Sequence, residues 1–330
     1  MDNIISVKGL TKIFRVHYRD REGILGAFQS LFKRKYRPVV AVDHIDFNVE
    51  KGEIHALLGP NGAGKSTVIK MLSGILYPTK GEILAMGFSP WKERAEYVRN
   101  IGVLFGQKSQ LTWELPAIDS YLIIQAIYKI PQQKFKDNLN YLVDLFQLGD
   151  IIKKPVRTLS LGEKMKCEFV CTLLHGPQLV FLDEPTIGMD VIAKDIVRDH
   201  IKRLNRDLGV TFILTSHDLG EITDLCKKIT IINFGKIVFD DTLENLRNYY
   251  SSKKMIDIKF YRELTQPDLN QFQLKMTSPL TGTMEIDNQK NTLHSEITRI
   301  LNSLPVQDLN IYENSVESVI KSIYQEKEAK

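Results

Sequence analysis

The chain has 330 residues, room for one large or two modest domains. Hydrophobic residues make up 43% and charged residues 25%, ordinary for a globular protein, and the net charge of +4 is too small to argue for nucleic acid. Three cysteines, Cys167, Cys171 and Cys226, exclude a disulfide framework and a CxxC metal pattern, and Cys167 and Cys171, four apart on an expected helix, read as core.

The first residues, MDNIISVKGL, lack the apolar core of a signal peptide. No run approaches the length of a membrane span, so a span is expected from a partner if the protein acts at a membrane. In EGILGAFQSLFKRKYR (Glu22 to Arg37), Ile24, Leu25, Phe28, Leu31 and Phe32 fall on one helical face, and Lys33, Arg34, Lys35 and Arg37 follow as a basic cluster. Two readings stand: a helix against a membrane surface or a transmembrane partner, or a helix packed on its own domain with a solvated charged end. Val39 to Val49 (VVAVDHIDFNV) alternates partly and reads as a strand, and Glu53 to Leu58 (EIHALL) is a second. Val68 to Leu76 continues as a helix, and Gly81 to Leu84 and Ile101 to Phe105 are short strands. Residues from about 114 to 176 are mostly helical, with Leu139, Leu142, Val143, Leu145 and Phe146 at three- and four-residue spacing. LVFL (Leu179 to Leu182) and TFIL (Thr211 to Leu214) are continuous apolar strands, as in a parallel sheet covered on both faces, with a helix over Val191 to Leu208 between them. Ile229 to Phe239 reads as a hairpin turning at Asn233 to Lys236. The alternation implies an α/β domain over 1–245, with a helical subdomain at about 110–176. A small α+β accessory domain over 246–330 follows, with a strand at MIDIKF (Met255 to Phe260) and a helix at LHSEITRIL (Leu293 to Leu301).

Between the strand EIHALL and its helix lies GPNGAGKST: Gly59, Pro60, Asn61, Gly62, Ala63, Gly64, Lys65, Ser66 and Thr67. The spacing G-x-x-x-x-G-K-S in a strand–loop–helix context is a complete phosphate-binding loop. Glycines let backbone N–H groups curl around phosphate oxygens, and the helix N-terminus adds partial positive charge. Lys65 is placed to reach the β- and γ-phosphates, and the Ser66 hydroxyl to face Mg²⁺. This is a nucleoside triphosphate site.

Four further features follow in order: Gln107 in LFGQ, LSLGE over Leu159 to Glu163, LVFLDEP ending in Asp183, Glu184 and Pro185, and His217 in ILTSHD. With them the chain resembles the ABC ATPase family over residues 4 to 240, in the order phosphate loop, Q-loop, signature, Walker B, D-loop and switch histidine. The resemblance implies a P-loop NTPase fold of ABC type. It implies ATP and Mg²⁺ as cofactors, with Asp183 holding the ion with Ser66 and Gln107, Glu184 as general base for the attacking water, and His217 sensing the γ-phosphate. It further implies that Ser160, Gly162 and Glu163 meet the nucleotide of an opposing subunit. Two positions depart from the family's LSGGQ. Leu161 stands for a glycine, and Glu163 for a neutral amide near the ribose.

One phosphate loop per chain makes a second copy, or a related ATP-binding subunit, part of the expected assembly, with Ile187 to Asp190 at the seam. Phe14 in LTKIF stands where the family stacks an aromatic on adenine, with Tyr18 and Tyr36 as rivals. In GQKSQLTWELP (Gly106 to Pro116), Trp113, Leu115 and Pro116 lie in a loop that faces the membrane subunit in this family, though Trp113 suits a buried place in the helical subdomain as well. FGQKSQL, LSLGEKMKCE and DEPTIGMD look most like ATP subunits of bacterial exporters with a separate six-span permease. The expectation is an ATPase at the cytoplasmic face of the membrane that drives a permease and has no nucleic-acid partner. The alternatives are a soluble ABC ATPase acting on ribosomes or DNA, and a nucleotide-gated regulator.

Overall fold

The computed structural model describes residues 3–18, 35–106, 108–217, 219–246, 253–265, 272, 274–287 and 293–313. The chain divides into two units, Met1–Asp241 and Thr242–Lys330.

The first unit is built on a six-stranded sheet in the order β5-β6-β7-β3-β8-β9. Its strands are β3 (Ile54–Leu58), β5 (Ile101–Phe105), β6 (Leu179–Asp183), β7 (Thr211–Ser216), β8 (Lys228–Asn233) and β9 (Lys236–Thr242). The pairs β5/β6, β6/β7, β7/β3 and β3/β8 are parallel. All of β3 and β7 is buried, which is why IHALL and TFILTS carry almost no polar alternation. A second sheet, antiparallel in the order β2-β1-β4, comprises β1 (Asn3–Tyr18), β2 (Lys35–Glu50) and β4 (Lys80–Ala85). One apolar core joins the layers. Ile5, Leu10, Ile45 and Phe47 of the antiparallel sheet meet Val68, Ile69 and Leu72 of helix α1 (Lys65–Leu72), which pack on Leu57, Phe181 and Ile213 of the parallel sheet.

The helical part holds α2 (Ala117–Tyr128), α3 (Gln132–Leu145) and α4 (Leu161–Leu173), with short 3₁₀ turns between α3 and α4. Helix α5 (Val191–Leu208) follows β6 and ends on Gly209 in a left-handed conformation. Cys167, Cys171 and Cys226 are buried, and burial pushes the thiol of Cys167 up to about 11 and that of Cys171 up to about 12. They pack as protonated apolar groups.

Among its described residues the second unit holds a four-stranded antiparallel sheet, β11-β12-β10-β13, and a helix packed on it. It comprises β10 (Lys253–Phe260), β11 (Lys275–Ser278), β12 (Thr281–Asp287), α6 (Leu293–Ser303) and β13 (Val306–Glu313). Ile256, Ile258 and Phe260 alternate onto the face covered by Ile300 of α6.

The sequence expectation for Glu22 to Arg37 needs correction at its end. Lys35, Tyr36 and Arg37 belong to β2, where Arg37 pairs with Val16 and Tyr36 with His17. The strand starts four residues before Val39 because β1 supplies a ladder that satisfies its backbone groups. Ile24, Leu25, Phe28, Leu31, Phe32, Lys33 and Arg34 lie outside the described residues.

The last carbonyl groups of a helix lack internal partners. At the end of α1 the fully buried Tyr97 supplies one, its hydroxyl donating to Leu72 O at 2.7 Å. Tyr97→Phe is expected to cost about 1–3 kcal/mol, the penalty for a buried carbonyl left unpaired. Urea denaturation of the purified chain measures it, and a loss under about 0.5 kcal/mol would show that the bond contributes little net stability.

Candidate functional site

The parallel register brings three strand ends to one level. Leu58, the last residue of β3, pairs with Ser216 on β7, and Asp183, the last of β6, pairs with Thr215 on β7 and with Phe105 on β5. Ligands of open α/β sheets bind outside the carboxyl ends of the strands. The residues just beyond these ends are the phosphate loop, Gly106, Glu184 and His217.

The loop from Gly59 to Gly64 turns back on itself, with Ala63 N donating to Pro60 O at 3.1 Å. Gly64 has φ 112°, and a Cβ there would stand 2.5 Å from Ala41 O, so only glycine lets β2 lie this close to the loop. Gly64 caps α1 without a side-chain bond, leaving the first N–H groups of the helix directed outward. Lys65 is buried, and its Nζ donates to Gly59 O at 2.6 Å and Pro60 O at 3.2 Å. Burial lowers its pKa, while Glu184, 3.9 Å away, and Asp183 act in the opposite sense.

Ser66 Oγ donates to Asp183 Oδ1 at 2.9 Å, across 117 residues of sequence. The same carboxylate oxygen accepts from Thr215 Oγ1 at 2.7 Å, and Thr215 Oγ1 in turn accepts from the backbone N–H of Glu184 at 3.0 Å. Thr215 is fully buried and thus orders both acidic residues. Sequence reading passed over it, although its place two residues before His217 on a strand marks it as facing the same way. Glu184 has φ 51°, a left-handed backbone rare in a glutamate and common where a site demands it. His217 Nδ1 lies 3.5 Å from Glu184 Oε1. A cleft of about 370 Å³ opens here, lined by Asn61, Ser66, Gly106, Asp183 and Glu184 among others.

The donor set at the cleft floor is hard oxygen, a hydroxyl and a carboxylate in contact. It suits Mg²⁺, which binds through one or two protein oxygens plus waters and substrate phosphates. No cluster of three or more His, Cys, Asp or Glu occurs among the described residues, so nothing here resembles an all-protein metal cage.

The remaining expected residues fall elsewhere. Gln107 lies outside the described residues. Phe14 is on β1 opposite Val39, partly exposed, with Lys12 Nζ 5.2 Å from its ring centre; the strand it pairs with reaches the loop at Ala41. Tyr36 is exposed and edge-on to His17, and the Tyr18 side chain is outside the described set. Ser160, Gly162 and Glu163 do not line the cleft. They open α4, where Ser160 Oγ accepts from Glu163 N at 3.3 Å and Glu163 Oε2 accepts from Ser160 N and Ser160 Oγ, both at 2.8 Å. This is a capping box. The Ser160 backbone N–H first, then its hydroxyl, hold the Glu163 carboxyl below its usual range.

The ABC transporter family model matches residues 42–187, from the strand beside the loop to the residues after Glu184. The chain is 31% identical over 287 residues to the uncharacterized ABC transporter ATP-binding protein YhcH of Bacillus subtilis (strain 168), covering 86% of this chain and 88% of that one. It is 33% identical to the linearmycin resistance ATP-binding protein LnrL of the same organism, over 65% of this chain and 68% of that one. Among solved structures, the dimeric post-hydrolysis state of the ATP-binding cassette MJ0796 bound to ADP and Pi has the same fold, with a TM-score of 0.59 and 20% identity over 72% of this chain and 98% of that one. The site and these likenesses agree, and the chain belongs to the ABC transporter family as an ATP-binding, ATP-hydrolysing subunit.

Proposed function

We propose that this subunit pairs with a second copy of itself, or with a related ATP-binding subunit, around two ATP molecules, and that closing and reopening of the pair drives a separate transmembrane permease in the direction of export. The observation that carries the reading is that Ser66, Asp183 and Glu184 line one cleft, with Lys65 and His217 beside Glu184, and that Ser160 is not among the lining residues. A signature that opens its own helix outside its own cleft supports the reading that it serves another. Val191 and Ile192 on the first turn of α5, beside the expected seam, are exposed apolar residues that pairing would cover.

Within the cleft each side chain has a task. Lys65 and the first N–H groups of α1 hold the β- and γ-phosphates. Ser66 and Asp183 would hold Mg²⁺, which when bound offsets charge on the β- and γ-phosphate oxygens. Glu184 takes a proton from the attacking water as its oxygen bonds to the γ-phosphorus and the β–γ bridging oxygen leaves with ADP. His217, within reach of Glu184, orients that carboxylate and meets the γ-phosphate. Phe14 stacks on adenine.

The permease face is the loop before α2 together with α2 itself. Trp113 is 54% exposed, with Lys164 Nζ 4.8 Å from its ring centre. Leu115, Leu122, Ile123 and Ile127 are also exposed. Aromatic and aliphatic anchors of this kind suit a partner helix. No helix among the described residues is long and apolar enough to cross a membrane. Export is favoured by the likeness to a resistance protein.

Glu184→Gln is expected to slow phosphate release by about 10²–10⁴-fold while nucleotide still binds, and to leave an ATP-dependent dimer on size-exclusion chromatography. Turnover at the wild-type rate would remove Glu184 from the role of base. Thr215→Val strips a donor from Asp183 and an acceptor from Glu184 N, and should cost about 1–3 kcal/mol in chemical denaturation together with a fall in turnover. In mild detergent the chain should co-purify with a polytopic membrane protein, and Trp113→Ala should weaken that recovery by about tenfold, the loss of one interface anchor. Co-sedimentation with ribosomes in its place would overturn the transport reading.

A further inference from the structure

Glu168 lies in the middle of α4, is only 5% exposed, and has no ion-pair partner among the described residues. A buried carboxylate is costly unless hydrogen bonds replace its water. Among the described residues, every donor to its carboxylate comes from one short loop. Ser109 Oγ donates to Glu168 Oε1, and Gln110 N lies 3.1 Å from Oε1 and 3.0 Å from Oε2. One turn further along the same helix face, Thr172 Oγ1 accepts from Gln110 Nε2 at 2.9 Å. Gln110 Nε2 also donates to Val103 O on β5. The loop is thus fastened to α4 at two points one turn apart.

Both ends of this fastening lead to the nucleotide. Three residues before Ser109, Gly106 N donates to Asp183 O at 3.0 Å, and a Cβ on Gly106 would stand 2.5 Å from Glu184 O. Eight residues before Glu168, about 12 Å along the helix, is Ser160, the cap of α4. A helix moves as a rigid rod over that length. A shift of the loop beside Asp183 and Glu184 therefore has a direct mechanical path to Ser160, and Glu168 is the joint in it.

Building on the pairing proposed above, we infer that Glu168 is a positioning residue that ties the loop after Gly106 to α4, so that occupancy of one cleft sets the position of the Ser160 that serves the other. A carboxylate is suited to this task because it accepts from a hydroxyl and a backbone N–H together, with charge-assisted strength.

The test compares full-length Glu168→Ala, Glu168→Gln and Ser109→Ala with wild type, and with Glu184→Gln as reference. It reads kcat and KM for ATP, binding of a fluorescent ATP analogue, and thermal melting. Glu168→Ala is expected to lower kcat by at least about tenfold, as misplacement by an ångström can, with analogue affinity within about threefold of wild type. Glu168→Gln keeps an oxygen for Gln110 N and should recover most of kcat. Ser109→Ala, which alters only a loop residue, should fall between and carries the test if Glu168→Ala does not fold. A folded Glu168→Ala with wild-type kcat beside an inactive Glu184→Gln would overturn this inference alone. So would kcat, affinity and melting temperature falling together in Glu168→Ala and Glu168→Gln alike, the sign of a purely structural role. If Glu184→Gln forms no ATP-dependent dimer on size-exclusion chromatography, the pairing fails and this inference with it, whatever the Glu168 variants show.

Discussion

The oxygen Oδ1 of Asp183 accepts from Ser66 and from Thr215 at once, and the arrangement of the first unit depends on that junction. It joins the last residue of β6 to the first turn of α1 and to β7, three elements far apart in the sequence. Two donors on one oxygen fix the direction of the carboxylate. The parallel register makes the junction possible, since a slip of one residue between β6 and β7 would turn Thr215 away from Asp183. The almost wholly apolar interior of β3, β6 and β7 sets that register, so the core determines where the polar chemistry falls.

Glu184 sits one step beyond the junction and inherits its constraint. Its N–H is held by Thr215, and the tight approach of Gly106 leaves its carbonyl little freedom. The left-handed backbone follows from these two contacts and swings the side chain toward Lys65 and His217. A strained glutamate costs about 1–3 kcal/mol, which the surrounding packed strands must offset. The strain is local, and it places the carboxylate among the residues that line the cleft.

Much of this was legible in the sequence, and the limits have physical causes. GPNGAGKST and LVFLDEP are local patterns whose chemistry follows from spacing, and the strands that carry them are apolar runs with few alternatives. The partners of Thr215 and Glu168 were not legible, because they lie about 30 to 60 residues away and only the register and the packing of α4 on β5 bring them near. The strand at Lys35 to Arg37 was missed for a related reason. Its basic residues read as a helix end until β1 is seen to offer a ladder. Trp113 admitted two readings from sequence, buried or exposed, and its 54% exposure favours the second.

Glu163 is the place where local structure and resemblance pull apart. By resemblance an amide belongs there, and a carboxylate looks like a defect in a nucleotide contact. In the structure the carboxylate closes a capping box with Ser160, and caps of this kind contribute about 1 kcal/mol to a helix. That stabilisation explains a glutamate without any nucleotide. It also engages the Ser160 hydroxyl, whose single proton goes to Glu163 and is free for a phosphate oxygen only when that bond opens. In the proposed pair an incoming phosphate and Glu163 would be two anions competing for one donor, so that the start of α4 and the opposing nucleotide would share a single hydroxyl. In that pair the position of α4 relative to the nucleotide would decide which acceptor wins, and that position is what the loop bound to Glu168 is proposed to control.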